Sequence, residues 1–179
     1  MRICVYGAAN DAISPAYLDS AFRLGKVIAE AGHTMVFGAG QTGVMGAAAR
    51  GVLAAGGKLV GIAPSFFQQP GILEENCTEL ILTETMRERK DLLEQKSDLF
   101  IAAPGGIGTL DEFFEIFTLR TLERHRKPIY LLNTNGCWDA LIRLLDDFVA
   151  SGLMCREYRA MVNVIREPEE LPAVWDKMA

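Results

Sequence analysis

Apolar residues along the chain fall into short β-rich runs that alternate with longer stretches of helical spacing. The short runs predict strands at 3–6, 34–37, 59–63, 79–82, 99–103, 129–132 and 162–165. The 3.6-residue patterns predict helices from Ser14-Pro15 to near Gly32 and at 44–55, 86–96, 108–123, 138–150 and 169–178. Residues 64–78 contain two prolines and show no clear period, so this segment is predicted to be a loop.

Strands that alternate with helices of this length predict βαβ units and a parallel sheet with helices on both faces. The sequence contains no internal repeat, low-complexity tract or linker. We therefore predict a single α/β domain over residues 1–179, built on an open, doubly wound parallel sheet. Ligands of such sheets bind at the carboxyl ends of the strands, where the strand order reverses.

The charge and cysteine content narrow the class of protein. The formal net charge is −5 and no run of Lys and Arg is long, which argues against nucleic acid but permits a small phosphorylated ligand. The four cysteines are scattered and form no CxxC pair, as expected for reduced thiols and no metal site.

The N-terminus begins directly with a strand, and no apolar run is long enough to span a membrane. We therefore expect a cytoplasmic protein with no membrane partner. His125, in a basic run at 124–127, is expected to be solvated.

Glycine-rich turns follow two of the predicted strands. One reads GAGQTGVMG at 38–46, and the other reads PGGIGT at 104–109. Glycine lets backbone N–H groups approach a ligand closely, and the first turn of a helix is a favourable anion site. Both turns therefore indicate phosphate binding. The alternative is that they are only tight strand-to-helix connections.

Neither turn has the pattern of a known cofactor loop. Both lack the lysine of the GxxxxGK[ST] phosphate loop. Gly38, Gly40 and Gly43 have the GxGxxG spacing, but they follow the second strand, and no acidic residue stands where a dinucleotide site needs one. NAD binding is therefore disfavoured.

Three carboxylates, Asp111, Glu112 and Glu115, follow the second glycine turn directly. Glu112 and Glu115 are three residues apart and share a helix face. A sugar phosphate would suit this arrangement, with its phosphate on the amides and its ribose beside a carboxylate. The alternative is that these acids only complement the helix dipole. The basic run at 87–90 opens a helix against the dipole preference, so we expect some of its side chains to face an anion or an acid. The alternative is that they are solvated surface charges.

Several of these segments resemble the LONELY GUY (LOG) family of cytokinin riboside 5′-monophosphate phosphoribohydrolases. PGGIGTLDE at 104–112 matches the family's PGGxGTxxE motif, which is shared with several nucleotide-handling relatives and has long been mislabelled as lysine decarboxylase. MRERK at 86–90 is similar to its MHxRK segment, and the turn at 38–46 to its GGGxxGLMG turn. The resemblance covers nearly the whole chain.

The resemblance implies a Rossmann-like fold and hydrolysis of the N-glycosidic bond of AMP or an N6-substituted AMP, giving free base and ribose 5-phosphate. It also implies a homodimer, no metal and no organic cofactor. The catalytic pair would be Arg89 and Glu112. The substrate-binding residues would be Gly40, Gly43, Met86, Lys90, Gly105, Gly106, Gly108, Thr109, Glu115 and Thr118.

The chain departs from the family pattern at positions around the base and the first loop. Ala8 and Ala9 stand where the family has serines, Arg87 replaces the histidine of MHxRK, and Ala39 replaces a glycine. Which group would activate the water stays open, with Asp98 and Asp111 as candidates. The alternative function is a carrier that binds a nucleotide or the molybdenum cofactor without cleaving it.

Overall fold

The structure, a computed structural model, describes residues 1–175. The helices in this range are α1 (Pro15–Glu30), α2 (Gly43–Ala54), α3 (Met86–Gln95), α4 (Ile107–Thr121), α5 (Asp139–Ala150), α6 (Arg156–Arg159) and α7 (Pro172–Trp175). The strands are β1 (Arg2–Tyr6), β2 (Thr34–Phe37), β3 (Lys58–Pro64), β4 (Glu79–Thr83), β5 (Leu99–Ala102), β6 (Ile129–Leu132) and β7 (Val162–Ile165).

All seven strands pair in parallel in one sheet, in the order β4-β3-β2-β1-β5-β6-β7. The chain builds outward from β1 to β4 on one side and then returns to place β5 to β7 on the other. The strand order therefore reverses between β1 and β5, and the carboxyl ends of these two strands flank the switch point. The predicted doubly wound α/β sheet is confirmed.

Helices cover both faces of the sheet because alternate residues of each strand point to opposite sides. On β1, Ile3 and Val5 pack into the core formed with α1 and α2, whereas Cys4 and Tyr6 pack into the core formed with α4 and α5. The strands are therefore apolar on both sides, as buried parallel strands require. Within residues 1–175, no helix is both long and apolar enough to cross a membrane.

Two predictions for the C-terminal half of the chain need correction: the last helix and the exposure of His125. The predicted helix at 169–178 is a short 3-10 turn, Pro168–Glu170, followed by α7, because Pro172 lacks the N–H that a continuous helix needs there. Residues 176–178 of that prediction lie outside the described residues. His125 is buried rather than solvated: its ring Nε2 lies 2.9 Å from the Ile116 carbonyl oxygen, and its ring packs against Phe100.

Candidate active site

A cavity of about 580 Å³ opens across the carboxyl ends of β5, β1, β2 and β3, at the predicted edge of the sheet. Three strand spacings separate β5 from β3, or about 14 Å. This span suits an extended ligand of the size of a nucleotide. The cavity is lined by Gly7, Ala8, Ala9, Asn10, Gly38, Gly40, Thr42, Met45, Phe67, Gly71, Ile72, Leu73, Met86, Arg89, Gly106, Gly108, Thr109, Asp111 and Glu112.

A buried ion pair stands in the wall of this cavity. Arg89 Nη1 donates a hydrogen bond of 2.6 Å to Glu112 Oε1, and both side chains are less than a tenth exposed. Arg89 comes from α3 and Glu112 from α4, so the pair joins two helices. Among residues 1–175, no donor binds the second oxygen of Glu112, which leaves this oxygen available to a ligand.

The start of α3 sets the position of the Arg89 guanidinium. The Thr85 side chain caps the helix by accepting a bond from the Glu88 N–H, which places Arg89 one turn inside. Arg89 Nε then donates to the carbonyl of Ile62 on β3 at 3.3 Å. A Cβ atom at Gly38 would lie 2.1 Å from Arg89 Nη2, so only glycine leaves room for the guanidinium at the end of β2.

Burial dominates the electrostatics of Glu112. The loss of water around its carboxyl group raises the pKa of Glu112 above its ordinary value, and the neighbouring Arg89 guanidinium opposes that rise.

The other two acids of α4, Asp111 and Glu115, face a second cation, the ammonium group of Lys90. Lys90 Nζ lies 2.6 Å from Glu115 and 3.2 Å from Asp111, and these partners raise the pKa of Lys90. Arg89 and Lys90 of the basic run therefore face the acids of α4, as one interpretation of the sequence predicted.

The N-terminus of α4 is open toward the cavity. Gly106 and Gly108 line the wall, and a Cβ atom at either position would meet nothing within 4 Å. Within the described part of the chain, no acceptor binds the N–H groups of Ile107, Gly108 and Thr109. These amides, together with the positive end of the helix dipole, form a site that can bind an anion.

The other glycine turn is closed by its own chain. The Gly43 N–H, at the start of α2, donates to the Asp11 carboxylate at 2.7 Å, and the Met45 N–H donates to the Ala8 carbonyl at 3.2 Å. Gly43 also has a φ of +63°, and a Cβ there would lie 2.4 Å from the Ala8 carbonyl oxygen. This turn holds the loop after β1 against α2.

The residues predicted to bind substrate fall into three groups. Gly40, Met86, Gly106, Gly108 and Thr109 line the large cavity together with the Arg89–Glu112 pair. Lys90 and Glu115 lie instead on an adjoining chamber of about 50 Å³, whose wall also includes Tyr6 and Glu112. The remaining predicted residues, Gly43, Gly105 and Thr118, do not line the large cavity.

Each of the three residues outside the cavity has another structural setting. The Gly43 amide is bound by Asp11. Gly105 makes room for Thr109, whose Oγ1 would lie 2.1 Å from a Cβ at that position. Thr118 lies on an exposed face of α4.

The structure also separates the two acids considered for activating water. Asp98 precedes β5, at the amino edge of the sheet, where its carboxylate accepts a bond of 2.7 Å from the Arg2 N–H. It therefore lies at the edge opposite the cavity and is not a candidate. Asp111 does line the cavity.

Sequence reasoning missed the segment that closes the far end of the cavity. Phe67, Gly71, Ile72 and Leu73 line this end, yet they come from the stretch predicted only as a loop. The only available signal was a set of aromatic and aliphatic residues near two prolines, Pro64 and Pro70. Among the described residues, no group of three or more His, Cys, Asp or Glu side chains is arranged to hold a metal ion.

A doubly wound sheet with a cavity at the switch point defines a Rossmann-like α/β domain. Comparisons with known proteins narrow this class. A family model described as "Possible lysine decarboxylase" matches residues 45–175. The cytokinin riboside 5′-monophosphate phosphoribohydrolase of Mycobacterium tuberculosis is 39% identical over 150 residues, which cover 84% of this chain and 80% of that protein. The chain belongs to the LOG family.

A plant relative and a solved structure extend the comparison. Over 161 residues, which are 90% of its length, the chain is 34% identical to a rice protein. That protein is the probable cytokinin riboside 5′-monophosphate phosphoribohydrolase LOGL5 of Oryza sativa subsp. japonica. The chain spans about two thirds of the length of that protein and of a second rice relative, 65% and 66%. The molybdenum cofactor binding protein of Rippkaea orientalis superposes with a TM-score of 0.73 at 23% identity, over 99% of this chain and 94% of that one. At that identity the similarity shows the shared fold.

Proposed function

We propose that this protein hydrolyses the N-glycosidic bond of a nucleoside 5′-monophosphate, AMP or an N6-substituted AMP, to free base and ribose 5-phosphate. One observation carries the proposal: the buried Arg89–Glu112 pair lies in the same cavity as the open amides of α4. The names of the relatives, which are phosphoribohydrolases of cytokinin riboside 5′-monophosphates, support the same reaction.

The phosphate binds at the N-terminus of α4. The amides of Gly108 and Thr109 and the Thr109 hydroxyl supply donors there, and the helix dipole favours the negative charge. The ribose then lies beside Glu112, one turn further along the same helix. Anchoring the phosphate in this way aligns the sugar and makes remote binding energy available for catalysis.

Glu112 stabilises the charge that develops during cleavage. As the C1′–N bond breaks, its electron pair leaves with the base and positive charge builds on the ribose ring; a water molecule then gives its hydroxyl to C1′ and one proton to the base. A carboxylate fixed beside the ring stabilises this charge more in the transition state than in the ground state. Arg89 keeps one Glu112 oxygen in place at 2.6 Å, so the other oxygen can face the sugar. Because arginine stays protonated in proteins, its role is to orient and to balance charge.

The substitution Glu112→Gln tests this function. It keeps the shape of the side chain and removes its charge, so we expect kcat for AMP to fall about 100- to 1000-fold with a smaller loss of AMP binding. The matched control is Glu79→Gln, whose carboxylate pairs with Lys96 and lines neither cavity, and for which we expect little change. Release of adenine, followed by chromatography, is the measurement. Near-normal hydrolysis by Glu112→Gln would exclude the role.

The alternative, a carrier of a nucleotide or the molybdenum cofactor, is supported by fold similarity alone. A carrier has no need for an acid held at the ribose position of its site. If the wild-type chain binds AMP but releases no adenine under any condition tried, the carrier function replaces the hydrolase.

We further propose that residues 1–179 act as one nucleotide-binding domain in a cytoplasmic homodimer. The four cysteines are free, which suits a reducing compartment. The outward face of α4 carries two exposed apolar side chains, Ile107 (83% exposed) and Phe114 (36% exposed). Leu122, the residue after the helix, is 61% exposed and continues this face. An exposed apolar surface of this kind is expected where a second copy of the chain covers it. Light scattering should give twice the chain mass of 19.6 kDa, and a monomer mass at micromolar concentration would contradict the dimer.

A further inference from the structure

The small chamber beside the large cavity shares one wall residue with it, Glu112. The chamber has a volume of about 50 Å³. A buried water molecule needs about 10–15 Å³ of such space, so the chamber has room for a few water molecules and is too small for a nucleotide. Glu112 therefore stands between the space proposed for the substrate and a space of the size of water.

The wall of this chamber is largely polar. It is formed by one residue at the end of β1, four residues of α3 and four residues of α4. They are Tyr6, Lys90, Asp91, Glu94, Gln95, Glu112, Glu115, Ile116 and Leu119. Water is bound in an ordered way where two to four polar groups converge on it. The chamber therefore has both the volume and the chemical groups of a water site.

Tyr6 reaches this wall from the last position of β1, and the packing of its ring fixes it. The ring stacks on that of Phe100 in β5, with 6.1 Å between the centroids and 4° between the planes, and Tyr6 is only 2% exposed. Its hydrogen-bonding neighbour in the described part of the chain is the thiol of Cys4, which is a weak partner. The Tyr6 hydroxyl therefore keeps hydrogen-bonding capacity for water in the chamber.

This hydroxyl keeps its proton. Burial, together with the neighbouring Cys4 and Glu112, raises the pKa of Tyr6 well above its ordinary value. A neutral phenol can donate its hydrogen, whereas a carboxylate can only accept. Tyr6 and Glu112 are therefore complementary groups on the wall of one chamber.

The cation of the same wall is bound to other acids. Lys90 Nζ lies 2.6 Å from Glu115 and 3.2 Å from Asp111. Among the buried side chains of the chamber wall, Tyr6 is the one that carries a neutral hydrogen-bond donor. The donor available to Glu112 from this side is therefore the Tyr6 hydroxyl, acting through water.

Glu112 has both the need and the capacity for such a donor. Arg89 donates one bond to Oε1, while burial favours the neutral form of the acid. A further donor favours the charged form, which the proposed chemistry requires. Each carboxylate oxygen can accept two bonds, so water in the chamber leaves room for a ribose hydroxyl on the other side.

We propose that Tyr6 is a positioning residue for Glu112: its hydroxyl donates to water in the chamber, and that water donates to the carboxylate. The proposal rests on the proposed function, because it takes the charged role of Glu112 from it. No proton is transferred along this chain of bonds, so Tyr6 stays neutral and Glu112 stays charged. Tyr6 itself does not touch the substrate, since it lines the chamber and not the large cavity.

The substitution Tyr6→Phe removes the hydroxyl and keeps the ring that stacks on Phe100. The acid limb of kcat/KM for AMP against pH reports protonation of an essential base in the free enzyme, here Glu112. Loss of a donor to the charged form raises the pKa of a carboxyl group. We therefore expect the acid limb to move about one pH unit higher, with about a tenfold fall in kcat/KM on the limb and little change above it.

Tyr130→Phe is the matched control. Tyr130 is also a buried tyrosine, but it packs in the core on the other side of the sheet and lines neither cavity. A merely structural role of Tyr6 would lower activity at every pH and leave the acid limb in place. An acid limb that does not move in Tyr6→Phe, or that moves equally in Tyr130→Phe, would overturn the proposal.

A measurement without substrate separates this proposal from the proposed function. The carboxyl carbon of Glu112 is titrated by NMR in protein labelled with ¹³C-glutamate, and its signal is assigned with Glu112→Gln. If the wild-type chain does not hydrolyse AMP, the proposed function fails. A midpoint about one pH unit higher in Tyr6→Phe would still support the positioning role, and an unchanged midpoint would overturn it.

Discussion

The two glycine turns of this protein look alike in sequence and differ in what their amides bind. Both follow a buried strand and lead into a helix, and both bring glycine close to other groups. At the start of α2, the amides are bonded to Asp11 and to the Ala8 carbonyl. At the start of α4, no group within residues 1–175 accepts from the first amides, and the cavity lies in front of them. A glycine-rich turn therefore indicates close approach, and the tertiary structure decides what approaches.

The geometry of the neighbouring loop explains this difference. The loop after β1 crosses in front of α2, where a side chain at Gly43 would collide with the Ala8 carbonyl. Glycine at this position allows one part of the chain to pack on another. At Gly108 the surroundings are empty, so the fold itself does not need glycine there. We therefore attribute this glycine to the phosphate proposed to bind there, which would need the space.

The largest effect that this comparison predicts is on activity, at the open turn. Gly108→Ala adds a methyl group to the wall where the phosphate is proposed to bind, and a displacement of about 1 Å there should lower kcat/KM for AMP about 100-fold. The same change should leave the fold intact or stabilise it by about 0.5–1 kcal/mol, since alanine is the better helix former. Adenine release and urea unfolding measure the two quantities.

Two results with Gly108→Ala would contradict this interpretation of the turn before α4. A Gly108→Ala protein that hydrolyses AMP normally would mean that the phosphate binds elsewhere in the cavity. A protein that fails to fold would mean that the glycine is structural, as Gly43 is.

The next largest effect is on stability, at the closed turn. Gly43→Ala forces a side chain into a left-handed conformation and against the Ala8 carbonyl, so we expect it to lower the free energy of unfolding by about 2–4 kcal/mol. Urea denaturation monitored by circular dichroism is the measurement. If this variant is as stable as Gly108→Ala, the two turns do not differ in the way described here.

The smallest effect concerns the carboxylate that closes the α2 turn. Asp11→Ala removes the acceptor of the Gly43 N–H and should cost about 1 kcal/mol of stability, whereas Asp11→Asn retains an acceptor and should cost less. Thermal unfolding of the two variants side by side gives the comparison. Equal stability of Asp11→Ala and wild type would show that the bond contributes nothing, and the turn would then be open to ligands as well.

Prediction from the sequence was most accurate for strands in which the local hydrophobic pattern agrees with the burial of the residues. The strands at 34–37, 129–132 and 162–165 were predicted with the bounds that the structure has, because short β-rich runs between turn signals have few other interpretations. The Arg89–Glu112 pair came from the family resemblance, and the structure brings the two side chains together at 2.6 Å. Charge and spacing had pointed only to the acids after the glycine turn and to the basic run at 87–90, without distinguishing these two residues from their neighbours.

Other features depended on contacts between residues distant in sequence. Asp98 and Asp111 looked equivalent as candidate acids, but they lie at opposite edges of the sheet because one precedes β5 and the other follows it. His125 sits in a basic run, yet the fold buries it against Phe100. The segment 65–74 had no periodic pattern, since its conformation follows from its hydrogen bonds to the turn after β2.

By itself, the amino-acid sequence determined the alternation of strands and helices, the glycine turns and the chemical groups available to a nucleotide. These follow from backbone propensity and hydrophobic period, which act over a few residues. The tertiary structure alone decided which turn stays open, which acid faces the cavity and which apolar side chains close its far end. Such choices depend on the order in which strands join the sheet, and that order is set by packing of the whole chain.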